Sequence, residues 1–270
     1  MKQGTDAQRD SDYLEIIRSS LRICLDYKPA FGQGRHGGIT LNQFQQLYQQ
    51  DEFYAWFGLD SPLVYKAHKV SGGMTSIYRQ VGMACQLLFS RILQDALGIS
   101  TADAQWSYQI PAGKGKSRKL SLDGRIPLAA LATTQSRSAV QSWLGEAATR
   151  LGVEKRIAAG LDGAVFEVRQ GYKSNDAKRQ NADVANASSA YMYRYLPVMV
   201  VFSVQIPTPL AERYQRARWL ILRGTSHGSS VDSTYVFCRE ILGYNLGAFF
   251  KRNSSAIKQE TMSVFKGLLQ

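Results

Sequence analysis

The fold is decided by the stretch that begins Ala164-Val165-Phe166-Glu167-Val168-Arg169 and ends Trp219-Leu220-Ile221-Leu222. Both of these segments are rich in residues that favour strands. Between them, the apolar run over 197–204 predicts a buried central strand. Helical segments are predicted over about 176–193 and from residue 208. Strand, helix, strand, helix, strand predicts a central sheet with parallel pairs and covering helices.

The first hundred residues are predicted to be mainly helical. Apolar residues at helical spacing predict a helix over 12–27, in which Asp12 and Glu15 are placed as a capping box. Gly72-Gly73 is predicted to break the chain before the strongest helix, over about 75–97. The fold class is therefore α/β: a central mixed sheet flanked by helices, with a helical N-terminal part.

The remaining segments complete this outline. Residues 112–125 are basic and predict a loop running into a short strand. Helices are predicted over 136–151, 232–242 and 254–269. We expect a single domain over 1–270, in which about 110–250 forms the α/β core.

The charge of the chain is unusual for a globular protein. It contains 33 Lys and Arg against 21 Asp and Glu, which gives a formal charge of +12. Its 44% of apolar residues excludes a disordered chain and a collagen-like chain. The excess of cations predicts an anionic partner, which is a nucleic acid, an anionic membrane surface or another polyanion.

Cysteine and histidine are too few and too scattered for several kinds of site. Cys24, Cys85 and Cys238 lie far apart and form no CxxC pair, which argues against a zinc knuckle and a disulfide framework. Three histidines offer little for a zinc site or a His-centred triad. The longest apolar stretch, over 196–206, is half the length of a membrane helix. We expect a cytoplasmic protein with no membrane partner.

Acidic residues and a cation cluster around the first predicted strand. Asp162 precedes the strand, and Glu167 lies inside it, two residues before Arg169. Two carboxylates can hold Mg²⁺, and Mg²⁺ can activate water for phosphodiester cleavage. Residues two apart on a strand point the same way, about 6.6 Å apart along it, so Glu167 and Arg169 can face one centre. The same pattern is also typical of an ion pair on a surface strand.

The run from Glu167 to Asp183, EVRQGYKSNDAKRQNAD, resembles the core of type II restriction endonucleases of the PD-(D/E)XK superfamily. Segments 73–80, 122–126 and 240–246 resemble the ApaLI-like group, so the resemblance covers roughly residues 70–250. It implies a sequence-specific, Mg²⁺-dependent endonuclease that cuts both strands of a short palindrome, such as a GTGCAC-type site. A palindrome has a two-fold axis, and a homodimer presents the same surface to each half-site.

The sequence departs from the family pattern at two positions. The superfamily usually places a lysine two residues after the acid, where this chain has Arg169, which can stabilise charge but cannot act as a base. Lys173 can supply the lysine only if Gly171 turns the chain back. The first metal carboxylate is also open: Asp162 is our first choice, and Asp123 is the competing candidate.

Residues that contact double-stranded DNA are predicted on three basic segments. Phosphate contacts supply most non-specific affinity, and arginine can read guanine through bidentate contacts. The alternatives are a flexible basic loop and solvated helix faces. The candidates are Lys114, Lys116 and Lys119 in the basic loop, Lys178, Arg179 and Asn181 after the catalytic strand, and Arg213 and Arg216 in the following helix.

Two other functions are compatible with these residues. One is a non-enzymatic, basic DNA-binding protein, although no helix-turn-helix or zinc signature supports it. The other is a nuclease of RNA or of single strands, which lacks a clear aromatic stacking surface. Glu167 discriminates against the plain binder, because carboxylates repel phosphates unless a metal ion lies between them.

Overall fold

The computed structural model describes residues 6–32, 37–111, 117–171 and 177–269. Within these ranges the chain forms two compact units. One contains Cys85–Lys251, and the other contains Gln8–Ala84 together with residues 252–269. Whether the whole chain acts as one nuclease domain stays a prediction.

Helices account for most of the described residues outside the strands. Helix α4 is the longest, and it contributes to both units. In chain order the helices are α1 Asp6–Arg22, α2 Leu41–Gln49, α3 Glu52–Trp56, α4 Pro62–Leu97, α5 Thr101–Ala104, α6 Thr134–Arg150, α7 Lys155–Ala159, α8 Ala177–Met192, α9 Thr208–Arg216, α10 Thr234–Glu240 and α11 Leu246–Leu269.

The strands of the described residues all lie in the unit that contains Cys85–Lys251. They are β1 Trp106–Pro111, β2 Ser117–Leu122, β3 Gly124–Pro127, β4 Gly163–Arg169, β5 Tyr195–Val201 and β6 Leu220–Leu222. Strands β1 and β2 pair with each other as an antiparallel ribbon, and the other four form a sheet in the order β3-β4-β5-β6.

The four-stranded sheet is mixed, as predicted. Strand β3 is antiparallel to β4, whereas β4 and β5, and β5 and β6, are parallel pairs. Parallel neighbours need a crossover connection, which α8 supplies between β4 and β5 and α9 supplies between β5 and β6. The α/β class and the mixed sheet are therefore confirmed.

Strand β4 lies in the core and presents different residues to its two faces. On one face, Val165 belongs to a buried cluster that includes Met199 and Trp219. On the other face, the ring of Phe166 lies 5.2 Å from that of Phe89 and 5.9 Å from that of Phe237. Because alternate residues share a face, Glu167 and Arg169 continue the Val165 face toward the carboxyl end of the strand.

The predicted helix break at Gly72-Gly73 is wrong, because α4 runs without interruption through both glycines. Each helical glycine costs about 1 kcal/mol relative to alanine, so packing must offset that cost. A Cβ atom on Gly72 would overlap the hydroxyl group of Tyr27, and one on Gly73 would lie 2.7 Å from the Leu268 side chain. Close approach to other chain segments explains the two glycines.

In the first half of the chain, one further prediction is wrong and one strand is missing from the prediction. Helix α1 begins at Asp6, so Asp12 lies inside the helix and accepts a hydrogen bond from Gln8 Nε2 at 3.0 Å instead of capping the first turn. Strand β1 is absent from the sequence-based prediction, because its pairing with β2 is what defines it.

The unit that contains Gln8–Ala84 and residues 252–269 has its own core and ion pairs. Phe44 is fully buried beside Ile39 and Tyr65. On its surface, Arg22 Nε lies 3.0 Å from Glu260 Oε1, and this arginine lowers the pKa of the Glu260 carboxyl. Among the described residues, every helix is too short or too polar to span a lipid bilayer.

Candidate active site

Glu167 and Arg169 form the centre of the candidate site on β4. Glu167 is buried, and Arg169 Nη1 contacts Glu167 Oε1. The side chain of Arg169 is 11% exposed. A buried carboxylate is costly unless it is paired and hydrogen-bonded, so this contact stabilises an ionised Glu167 inside the sheet. The prediction that both side chains share one face is confirmed.

Asp123 reaches the same centre from the bend between β2 and β3. Antiparallel pairing places Gly124 opposite Phe166, so the preceding residue, Asp123, lies beside Glu167. Asp123 Oδ2 accepts hydrogen bonds from the Val168 backbone N–H at 2.8 Å and from Gln86 Nε2 at 3.2 Å. It also lies 3.9 Å from Arg169 Nη1, the nitrogen that Glu167 contacts.

Asp183 joins the cluster from α8, a role that sequence reasoning missed. Its Oδ1 lies 3.6 Å from Arg169 Nη2, and its Oδ2 accepts a hydrogen bond from the Tyr214 hydroxyl at 2.8 Å. Asp183 is 4% exposed. It lies four residues before Ala187 of the apolar stripe, and this spacing is the signal that an acid on that helix face points inward.

The site therefore contains a guanidinium group in contact with carboxylates from the β2–β3 bend, from β4 and from α8. Asp123 and Glu167 present hard oxygen atoms, the ligands that Mg²⁺ takes. Among the described residues, no group of three or more His, Cys, Asp or Glu could hold a metal ion. Asp123 and Glu167 are the two carboxylates that could take part in holding Mg²⁺, an ion that is usually bound through one or two carboxylates and keeps several waters.

Asp162 is not brought to this cluster. It precedes the amino end of β4, whereas Glu167 lies near the carboxyl end, about 17 Å further along the strand. Its side chain is half-exposed and lies 3.2 Å from Arg194 Nη2. The structure therefore favours Asp123, the competing candidate, as the carboxylate that accompanies Glu167.

The predicted DNA-contacting residues lie in several places. Lys114 and Lys116 lie outside the described residues, as do the side chains of Lys178 and Arg179 in the first turn of α8. Lys173, which was predicted to be catalytic, also lies outside the described residues. Lys119 is exposed on β2, where it pairs with Gln109 of β1.

The candidates on α8 and α9 are partly brought together. Arg213 Nη2 donates to Asn181 Oδ1, which joins the two helices. Arg216 is 83% exposed and lies 3.9 Å from Glu212 on its own helix. Arg213 and Asn181 therefore support each other's position, whereas Arg216 lies on the open surface.

All three cysteines are free and buried, and two of them have thiols that resist ionisation. Burial raises the pKa of the Cys85 thiol to about 12 and also raises the pKa of Cys238. A thiolate is the nucleophilic form of cysteine, so Cys85 and Cys238 are inert near neutral pH.

Comparison of the chain with protein-family models, with curated proteins and with solved structures finds no match. The function is therefore argued from the residues and the geometry of the site.

Proposed function

We propose that this chain is a Mg²⁺-dependent endonuclease of double-stranded DNA, of the type II restriction class within the PD-(D/E)XK superfamily. The observation that carries the proposal is that Asp123, in the β2–β3 bend, and Glu167, on β4, meet at the guanidinium group of Arg169. The formal charge of +12 supports a polyanionic substrate. The acid-x-cation sequence lies on an inner strand of a mixed sheet, as the resemblance implies.

Each residue of the site has a different role in the proposed phosphodiester hydrolysis. Asp123 and Glu167 would hold the metal ion. When bound, Mg²⁺ supplies an activated water and stabilises the charge that develops on the phosphate. Arg169 provides a fixed positive charge for the same phosphate, and it cannot act as a base. The Val168 N–H and Gln86 orient Asp123, while Tyr214 orients Asp183.

A second function is favoured by one specific observation. Arg169 contacts Glu167 directly and lies near Asp123 and Asp183. The same contacts are typical of an ion-pair network that only stabilises the fold. In that case the chain would be a basic DNA-binding protein without enzymatic activity. The two functions differ in whether the chain cleaves DNA in a reaction that needs metal ions and Asp123.

Incubation of purified protein with plasmid DNA, in Mg²⁺ and in EDTA, tests the proposal. We expect discrete fragments in Mg²⁺ and intact plasmid in EDTA. Asp123→Asn and Glu167→Gln should each slow cleavage by at least about 100-fold, since each removes a negative charge needed to hold the metal. Both variants should still shift duplex DNA on a native gel, which also reports that they fold.

Asp162→Asn is the matched control, because it removes the same charge from an exposed side chain outside the cluster. It should cut at the wild-type rate. Intact, gel-shifted plasmid in both Mg²⁺ and EDTA would instead establish the plain DNA-binding function. Slow cleavage by Asp162→Asn with normal cleavage by Asp123→Asn would restore our first choice from the sequence.

The proposal also covers the oligomeric state of the protein and the DNA sequence that it recognises. A palindromic target, such as a GTGCAC-type sequence, calls for a homodimer with one centre on each strand. Mapping the fragment ends would give the recognition sequence, and sedimentation equilibrium of the purified protein would give the number of subunits.

A further inference from the structure

One of the two faces of the β1–β2 ribbon packs against the core. Trp106, Tyr108 and Leu122 are buried in the cluster that also contains Val165. The Tyr108 hydroxyl donates a hydrogen bond to Asn186 Oδ1 on α8 at 2.6 Å. Because one face is packed and hydrogen-bonded, the other face has a defined direction.

The outward face of the ribbon is polar and exposed. Residues alternate between faces along each strand, so the side chains that face away from the core are Ser107, Gln109, Ser117, Lys119 and Ser121. Gln109 lies opposite Lys119, and Ser107 lies opposite Ser121. Opposite residues of an antiparallel pair have Cβ atoms about 5 Å apart, so the Gln109 amide and the Lys119 ammonium group lie side by side. Together they offer hydrogen-bond donors and one acceptor.

The charge of this segment matches a polyanion. Between Trp106 and Leu122 the sequence contains Lys114, Lys116, Arg118 and Lys119 and no Asp or Glu. A second copy of the same surface would bring like charges together, which is unfavourable. Of these cations, Lys119 is the one that the described residues place on the outward face, and no acid faces outward beside it. Charge complementarity therefore favours duplex DNA as the occupant of the outward face.

The position of the ribbon connects it to the candidate site. Strand β2 ends at Leu122, directly before Asp123. Lys119 lies four residues before Asp123, which is about 14 Å along an extended strand. The major groove of B-DNA is about 12 Å wide and admits a two-stranded ribbon. A ribbon in the groove would thus place Gln109 and Lys119 a few base pairs from a phosphate held at Asp123.

We propose that the outward face of the β1–β2 ribbon enters the major groove and that Gln109 and Lys119 read base edges there. This inference rests on the proposed function for its substrate, duplex DNA. Glutamine pairs with the N6 and N7 atoms of adenine, and lysine donates to O6 and N7 of guanine. The two residues would determine two base pairs of each half-site.

Selection from a library of randomised DNA duplexes tests the ribbon independently of cleavage. The library is equilibrated with wild-type protein in buffer that contains Ca²⁺ and no Mg²⁺, and the bound duplexes are sequenced. The measurement then reports binding and does not require cleavage. Wild-type protein should enrich one short sequence. Gln109→Ala and Lys119→Ala should each reduce the preference at one base pair by about 5- to 150-fold, the range that one bidentate contact supplies.

Two variants in exposed positions on other elements serve as matched controls. Gln141→Ala on α6 and Lys155→Ala on α7 remove the same side chains and should select the wild-type sequence. Wild-type selectivity in both ribbon variants would overturn the inference, as would the absence of any enriched sequence with wild-type protein. Selective binding that depends on Gln109 and Lys119, without cleavage in Mg²⁺, would support the ribbon and contradict the nuclease.

Discussion

Arg169 is the residue on which the candidate site depends. Its guanidinium group lies near carboxylates of three different elements: the β2–β3 bend, β4 and α8. A planar group with five N–H donors can contact several carboxylates at once, whereas a lysine ammonium is a compact point charge. This geometry gives a physical reason for an arginine where the resembled family usually has a lysine.

Replacing Arg169 should destabilise the fold. Arg169→Ala removes a mostly buried cation from the carboxylates of Asp123, Glu167 and Asp183, and we expect the free energy of unfolding to fall by about 3 kcal/mol. Arg169→Lys should cost less, because it retains the charge. Urea unfolding at neutral pH measures both.

Arg22→Ala provides the comparison for this prediction, since the Arg22 side chain is 47% exposed where it pairs with Glu260, against 11% for Arg169. Its loss of stability should be smaller, because water screens exposed pairs. Equal stability of Arg169→Ala and the wild type would show that the contacts of Arg169 contribute nothing to the fold.

At the scale of elements, Gly163 determines how β4 begins. Its φ is +153°, and it pairs with Pro127 of β3 on one side and Tyr195 of β5 on the other. A Cβ atom at this position would overlap the carbonyl oxygen of Ile126. Only glycine permits the two neighbouring strands to approach this closely.

Gly163→Ala should therefore lower the free energy of unfolding by about 2 kcal/mol or more, through backbone strain and displacement of β3. Gly160→Ala is the matched control. Gly160 has an ordinary φ of −91°, and a Cβ atom there would lie 3.4 Å from the Ile157 carbonyl oxygen. Thermal unfolding compares the two variants, and an equal change in both would contradict the strand-approach argument.

At the scale of the whole molecule, the formal charge of +12 should dominate affinity for DNA. Cations that bind phosphates release counterions, so the logarithm of the binding constant falls linearly with the logarithm of salt concentration. If the bound chain makes about 6–10 phosphate contacts, affinity should fall about 10³- to 10⁵-fold between 50 and 200 mM salt.

Fluorescence anisotropy with a labelled duplex measures this dependence. Glu167→Gln should show the same slope as the wild type, because it removes no cation. A binding constant that does not change with salt would contradict an electrostatic interface and would leave the excess of Lys and Arg without a role in DNA binding.

Much of the core could be predicted from local patterns. Strands β4, β5 and β6 and the two helices between them follow from short apolar runs, helical periodicity and turn residues, all of which act within a few residues. The break at Gly72-Gly73 could not be judged in this way. Its outcome depends on Tyr27 and Leu268, which are distant in sequence and approach the two glycines in the folded unit.

The sequence by itself determined the class of the fold, the charge, and the placement of Glu167 and Arg169 on one face of a strand, because a strand alternates its faces with a period of two. Only the tertiary structure decided which acid joins them. Asp162 is near in sequence but lies at the far end of β4, whereas Asp123 is 44 residues from Glu167 in sequence and arrives through the antiparallel register of β3. The register of β3 against β4 places Asp123 in the cluster, and the packing of α8 on the sheet places Asp183 there. Strand register and helix packing are not local properties of the chain.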